Sequence, residues 1–243
     1  MAIKPILFNT EMVQAILDGR KTCTRRSVSS RQFLGMLPDK CKNAAPDEFL
    51  KGKRMMFKPY CDMTDAELIM TAYKAPYEPG DTLYVRETVW QKIGYYLDID
   101  GETKPSWYNE FKYVASDEKP ETGWNYSWVK RPSIHMPKEA ARIWLKVTDV
   151  RVERLQDITE DQTEEEGFLF TPPCLHLTGE NYCDIDGPCK SEIKYCDMGA
   201  GELFGTVLWN STIKESDLDR YGWSANPYVF VIEFERCEKP EGV

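Results

Sequence analysis

The order of apolar and polar residues along the chain predicts four β-strands, at residues 3–8, 82–90, 141–154 and 228–236. In the second run, strict alternation places Glu87 on the same face as three aliphatic side chains. The third run changes phase near Thr148, where we expect a bulge. Pro5 interrupts the first run, which indicates a strand at the edge of a sheet or in a barrel.

A helix is predicted directly after the first strand. Asn9 or Thr10 can cap its N-terminus, and Gly19 can supply the left-handed residue that ends it. Its apolar stripe consists of Met12, Val13, Ile16 and Leu17. This spacing is typical of a short amphipathic helix with one buried face.

A second helix is predicted between Thr159 and Gly167. Thr159 and Gln162 form a capping-box pattern, and Gly167 ends the helix. Five of the seven residues from 160 to 166 are acidic, which is usual for a solvated helix face. A third helix is predicted over residues 201–213.

The predicted order of elements is β, α, β, β, α, α, β, with long irregular connections. This order favours an α+β fold, a small mixed β-barrel with flanking helices, over a doubly wound sheet. We interpret residues 27–76, 91–131 and 169–201 as insertions into a single domain that spans residues 1–243. Neither G-x-G-x-x-G nor G-x-x-x-x-G-K-[ST] occurs, so we expect no nucleotide cofactor.

The charge is unevenly distributed. The whole chain has a net charge of -9, which argues against nonspecific coating of nucleic acid. Residues 1–60 nevertheless hold twelve Lys or Arg against five acids, a local net charge of +7. This asymmetry fits either one basic binding face or a loop that simply carries exposed cations.

The lack of a membrane span and of an apolar leader in the sequence suggests a cytoplasmic protein. No stretch reaches the length of a membrane span, and the N-terminus has no signal-peptide pattern. The eight cysteines are expected to be free thiols. Four of them lie near His176, namely Cys174, Cys183, Cys189 and Cys196, but their wide spacing favours free thiols over a zinc site, so we expect no metal.

The segment 19–26 concentrates the candidate chemistry. Its sequence, GRKTCTRR, places four cations and two threonine hydroxyls directly after a predicted helix end. A helix C-terminus already favours cations, so Arg20 and Lys21 could merely neutralise the helix dipole. The pattern alone leaves both interpretations open.

Several blocks of the chain resemble the ASCH-domain proteins that are common in phage and prophage genomes. The blocks occur in the family's order and are PILFNT (5–10), GRKTCTRR (19–26), PGDTLYVRET (79–88), PSIHMP (132–137), VRVERLQDIT (150–159) and NPYVFVIEF (226–234). The resemblance spans the chain apart from the three insertions. It implies a PUA-like β-barrel, a fold of RNA-binding modules.

The resemblance also implies a chemistry. Some small members of the family are similar to amidohydrolases that remove the acyl group from N4-acetylcytidine, using a Gly-x-Lys-x-x-Thr motif and a Glu near the end of a later helix. In this sequence those positions are Lys21, Thr24 and Glu166. Lys21 could deprotonate the Thr24 hydroxyl or a water, and Glu166 could orient the attacking group or protonate the leaving amine.

The residues expected to contact the substrate are Arg20, Arg26, Arg86, Glu87 and His135. Because a buried carboxylate needs a partner, we expect a Lys or Arg of the 20–26 segment to pair with Glu87. His135 fits either substrate contact or ordinary hydrogen bonding, and we favour contact.

Three functions follow, all with a modified nucleoside or RNA as partner. The first is hydrolysis of an N4-acylated cytidine or a related modified nucleoside without a cofactor. The second is a non-catalytic module that binds RNA or a modified nucleobase. The third, a single-strand ribonuclease, is less favoured because only His135 and His176 are available as histidine acid–base groups.

Overall fold

The computed structural model describes residues 2–29, 67, 70, 73–168 and 198–242. Within them the fold is α+β, as the sequence predicts. The strands are β1 (Ile3–Leu7), β2 (Cys23–Ser27), β3 (Thr82–Arg86), β4 (Val89–Leu97), β5 (Thr103–Tyr113), β6 (Tyr126–Arg131), β7 (Trp144–Arg154) and β8 (Tyr228–Cys237). The helices are α1 (Thr10–Leu17), α2 (Glu160–Glu165), α3 (Ala200–Leu203), α4 (Asn210–Thr212) and α5 (Leu218–Tyr221), with a π-helix at Phe204–Trp209 between α3 and α4.

The strands form two sheets. The first has the order β1-β3-β7-β8-β2, with β1 parallel to β3 and β2 antiparallel to β8. The second is antiparallel, in the order β5-β4-β6. In the described part of the chain no ladder joins β1 to β2, so the first sheet is open and the barrel stays a prediction.

The single strand predicted for residues 82–90 is wrong. The run divides at Glu87 and Thr88 into β3 and β4, which belong to different sheets. The predicted burial is nevertheless confirmed, because Leu83, Val85 and Val89 are fully buried and Glu87 is 1% exposed. The alternation of apolar and polar residues therefore predicts correctly which side chains are buried. It does not show at which residue the chain leaves one sheet and enters the other.

The bounds predicted for the first two helices are confirmed. The Asn9 side chain accepts a hydrogen bond from the Met12 amide of α1, and Gly19 follows with a φ of 78°. Thr159 and Gln162 form the capping box of α2, and Gly167 has a φ of 81°. These glycines adopt the left-handed conformation that ends a helix at little steric cost.

The chain divides into two compact units, and the single-domain assignment stays a prediction. Unit 1 comprises Met1–Arg20, Tyr77–Thr148 and Phe234–Val243. Its buried cluster consists of Val89, Met136, Ala140, Ala141 and Trp144. Unit 2 comprises Lys21–Pro76 and Asp149–Glu233. Its buried cluster consists of Leu155, Ile158, Phe204, Trp209, Val229 and Val231.

No helix among the described residues is long and apolar enough to cross a membrane.

Candidate functional site

Lys21 lies in the short connection between α1 and β2, at the start of unit 2. The Thr22 amide donates a hydrogen bond to the Glu165 carbonyl at 2.8 Å, which ties this connection to the end of α2. The chain then enters β2, where Cys23, Thr24 and Arg25 are all buried. This arrangement carries the Lys21 side chain inward, with none of it exposed to solvent.

The Lys21 ammonium donates three hydrogen bonds. Its Nζ lies 2.8 Å from the Cys23 carbonyl, 2.7 Å from the Glu166 carbonyl and 2.8 Å from Glu166 Oε2. A buried ammonium is tolerated only when such acceptors replace its water. Two of the residues predicted to be catalytic, separated by 145 positions, are therefore in direct contact.

Glu166 caps the C-terminus of α2 and is itself buried, with 4% of its side chain exposed. Its two carboxylate oxygens serve different cations, since Oε2 accepts from Lys21 and Oε1 accepts from Arg25 at 3.3 Å. The acidic run of residues 160–166 thus contains one buried carboxylate at its end. Because the helix ends just before Gly167, the Glu166 carboxylate lies next to the 20–26 segment.

Arg25 is a residue of this site that the sequence analysis missed. Its side chain is 1% exposed, and its Nη2 donates to Gln162 Oε1 at 2.8 Å and to Glu153 Oε2 at 3.4 Å. Its Nε is buried without a hydrogen-bond partner among the described residues. We name Lys21, Arg25, Glu153, Gln162 and Glu166 the unit 2 cluster. It holds two cations and two carboxylates, so its formal charges cancel.

The unit 2 cluster reaches solvent at Glu153, whose side chain is 22% exposed. Glu153 Oε1 also accepts from Arg151 Nε at 2.5 Å, and Arg151 pairs with Glu233 as well. Burial disfavours the charged guanidinium, but the hydrogen bonds to Glu153 and Glu233 outweigh it and raise the pKa of Arg151. A chain of paired charges therefore runs from the half-buried Arg151 to the buried Lys21–Glu166 contact.

Thr24 is buried on β2 beside Ile232 of β8. Successive side chains of a strand point to opposite faces, so Thr24 projects from the face opposite Arg25. None of the hydrogen bonds among Lys21, Glu166 and their described neighbours involves the Thr24 hydroxyl. The structure thus unites two of the three predicted catalytic side chains and leaves Thr24 outside their hydrogen-bond network.

The two arginines at the ends of the segment are placed differently from Arg25. Arg20 Nη2 pairs with Asp18 at 2.9 Å near the surface of unit 1. Arg26 is half-buried on β2, paired with Phe230 of β8. Neither is among the described partners of Glu166.

Glu87 does not pair with the 20–26 segment, and that prediction is wrong. Its carboxylate receives two hydrogen bonds from Arg142, at 2.9 and 3.0 Å. The Arg142 guanidinium also lies 4.0 Å from the ring centroid of Tyr113. The alternation showed correctly that Glu87 needs a cation, but the bidentate partner comes from the segment before β7, within unit 1.

Arg86 and His135 belong to one local structure in unit 1. Arg86 Nε donates to the Met136 carbonyl at 2.9 Å, and its Nη2 donates to the Ile134 carbonyl. These bonds hold the short helical turn Ser133–His135, from which the His135 side chain is exposed. In this structure Arg86 supports the backbone around His135.

The Cys23 thiol is affected by the buried pair. Burial, and then the negative charge of Glu166, raise the pKa of Cys23 from 9.0 to about 12. Between these values the unfolded chain loses the thiol proton while the folded chain keeps it, so the free energy of unfolding falls as pH rises.

We therefore expect Cys23→Ala to have a flatter alkaline stability profile than wild type. The difference in slope should approach about 1.4 kcal/mol per pH unit above pH ~9. Urea unfolding at several pH values between these limits measures it. Cys237→Ala is the comparison, since that thiol is only half-buried and should change the slope less. Equal slopes in wild type and Cys23→Ala would contradict a thiol that stays protonated in the fold.

Within the described residues, no group of three or more His, Cys, Asp or Glu side chains is arranged to hold a metal ion. The cysteines considered for zinc, between residues 174 and 196, lie outside the described residues.

Comparisons of the chain with protein-family models, with curated proteins and with solved structures find no match.

Proposed function

We propose that this chain is a cytoplasmic, PUA-like protein that hydrolyses the exocyclic amide of an N4-acylated cytidine or a related modified nucleoside. The observation that supports the proposal is the buried contact between Lys21 Nζ and Glu166 Oε2 at 2.8 Å. Both residues occupy the positions that the ASCH resemblance assigns to catalysis. An amide hydrolase needs a general base and a proton donor at one site, and the two side chains of this contact can take those roles.

The reaction adds water across the amide and releases a carboxylic acid and the free amino group of cytidine. Transfer of one proton from Lys21 to Glu166 along their hydrogen bond makes the amine a base and the carboxyl an acid. Lys21 then takes a proton of the attacking water, whose oxygen bonds to the acyl carbon. Glu166 protonates the leaving nitrogen as the C–N bond breaks, which leaves Lys21 as an ammonium and Glu166 as a carboxylate, as at the start.

Arg25 completes the proposed machinery as a positioning residue. Its guanidinium fixes the second carboxylate oxygen of Glu166 and connects it to Gln162 of α2. A locked carboxylate keeps its acidic oxygen aimed at the reacting atoms, which favours proton transfer.

A second candidate is a binding module for RNA or a modified nucleobase without turnover. The observation that favours it is that Lys21 has an acceptor for each of its three ammonium hydrogens, which is what a purely structural buried cation requires. In this case the unit 2 cluster would anchor the connection between α1 and β2 to α2.

Purified wild-type protein incubated with N4-acetylcytidine separates the two candidates. We expect release of cytidine and acetate in equal amounts, measured by liquid chromatography with mass detection. N4-methylcytidine, which has no acyl carbon, is the matched control and should remain unchanged. Saturable binding of both nucleosides without release of acetate would favour the binding module.

A further inference from the structure

The β5-β4-β6 sheet of unit 1 has two unlike faces. Val89, Gln91 and Ile93 of β4 point to one side and are buried, and Val89 joins the unit 1 core. Because successive residues of a strand alternate, Trp90, Lys92 and Gly94 point to the other side. We call this second side the outer face.

The outer face carries five aromatic side chains. They are Trp90 and Tyr96 of β4, Tyr126 and Trp128 of β6, and Tyr108 of β5, whose ring covers Gly94. Tyr96 and Tyr108 are 52% and 44% exposed, and the other three are half-buried. An exposed aromatic ring keeps apolar surface in contact with water and gains no stability from packing. Groups of such rings on one face are typical of binding surfaces.

The same face is basic. Four lysines lie on it, Lys92, Lys104, Lys112 and Lys130, of which Lys92 pairs with Glu110 and Lys104 pairs with Asp98. Lys112 of β5 and Lys130 of β6 lie on either side of Trp90 in one row, and both are exposed. This local excess of cations contrasts with the net charge of -9 of the chain.

The Lys92 side chain lies between the rings of Tyr108 and Tyr126. Its Nζ lies 5.3 Å from the Tyr108 centroid and 4.8 Å from the Tyr126 centroid, and it pairs with Glu110 at 2.8 Å. The Tyr108 ring covers Gly94 so closely that a Cβ there would lie 2.6 Å from a ring carbon. The Tyr108 and Tyr126 rings therefore have defined neighbours on the sheet, as a stacking platform requires.

We propose that the outer face binds single-stranded RNA, with bases stacked on its aromatic rings and phosphates near its lysines. Each nucleotide of single-stranded RNA has a base that can stack on an aromatic ring and a phosphate that can contact a cation. Rings and cations that alternate on a sheet fit this repeat. A protein partner has no such repeat. The choice of RNA over DNA rests on the proposed function, whose substrate is a ribonucleoside.

Fluorescence anisotropy with a labelled oligouridylate of about 12 nucleotides tests this inference on the full chain. Tyr96→Ala should weaken binding by about tenfold, because one stacked base is lost. Tyr95→Ala is its matched control, since Tyr95 is the adjacent residue, has a similar exposure of 53% and points to the opposite face. Tyr95→Ala should bind as wild type does.

The lysines are tested through the salt dependence of the same binding. The double variant Lys112→Ala/Lys130→Ala should reduce the slope of log K against log salt by about 1.4, for two lost phosphate contacts on a single strand. Lys119→Ala/Lys239→Ala makes the same change of charge at exposed positions off the sheet and should leave the slope unchanged. Circular dichroism confirms that each variant is folded.

Three outcomes would overturn the inference: no saturable RNA binding, equal losses in Tyr95→Ala and Tyr96→Ala, or a matched oligothymidylate bound as tightly as the RNA. None of them depends on hydrolysis. Turnover of free N4-acetylcytidine is measured separately, so failure of the proposed function and failure of this binding surface give different results.

Discussion

Lys21→Met is expected to lower kcat/KM for N4-acetylcytidine by at least about 100-fold, the usual contribution of a general base or acid. Methionine keeps most of the side-chain volume but has no proton to transfer to Glu166. The carboxyl of Glu166 would then keep its contact with Arg25 but have no base beside it. Steady-state kinetics on the folded variant measure this loss.

The matched control is Lys146→Met, the same replacement at an exposed position of β7. It should retain wild-type kcat and KM. A Lys21→Met variant that keeps wild-type turnover would contradict a catalytic role for the buried pair. A rise in KM with kcat unchanged would instead assign Lys21 to uniform binding of the substrate.

Glu166→Gln is expected to lower the free energy of unfolding by about 3–5 kcal/mol, because it leaves buried cations without their carboxylate. Lys21 and Arg25 are both almost fully buried and both hydrogen-bond to Glu166. A glutamine amide preserves one acceptor oxygen but not the negative charge. Urea unfolding, with the m-value checked for constancy, measures the loss.

The control is a replacement of the same type at an exposed position of the same helix. Glu164→Gln removes a charge from the exposed face of α2 and should change stability by less than about 0.5 kcal/mol. Equal effects at residues 164 and 166 would mean that the Lys21–Glu166 contact contributes little in solution.

Local signals explain which parts of the fold the sequence could predict. The bounds of α1 and α2 were predictable because Asn9, Gly19, Thr159 and Gly167 act through backbone hydrogen bonds within a few residues. The position of Glu166 followed from the same local register together with the family resemblance. The capping box even anticipated Gln162, whose amide oxygen also accepts from Arg25.

The missed features depend on contacts between distant parts of the chain. The β2 sequence, Cys-Thr-Arg-Arg-Ser, has no apolar alternation, and it becomes a strand because it pairs with β8. Arg25 is buried because carboxylates more than 120 positions away neutralise it. Arg142 pairs with Glu87 across 55 positions in the same manner. No local pattern contains such partners.

The most direct test of the central claim is the double variant Lys21→Met/Glu166→Gln, measured for both stability and turnover. Removing both charges leaves no uncompensated Lys21–Glu166 charge, so the double variant should be more stable than Glu166→Gln alone. We expect that this recovered stability brings back no hydrolysis of N4-acetylcytidine. If turnover returned with stability, the pair would be a structural element, and the proposed active site would be contradicted.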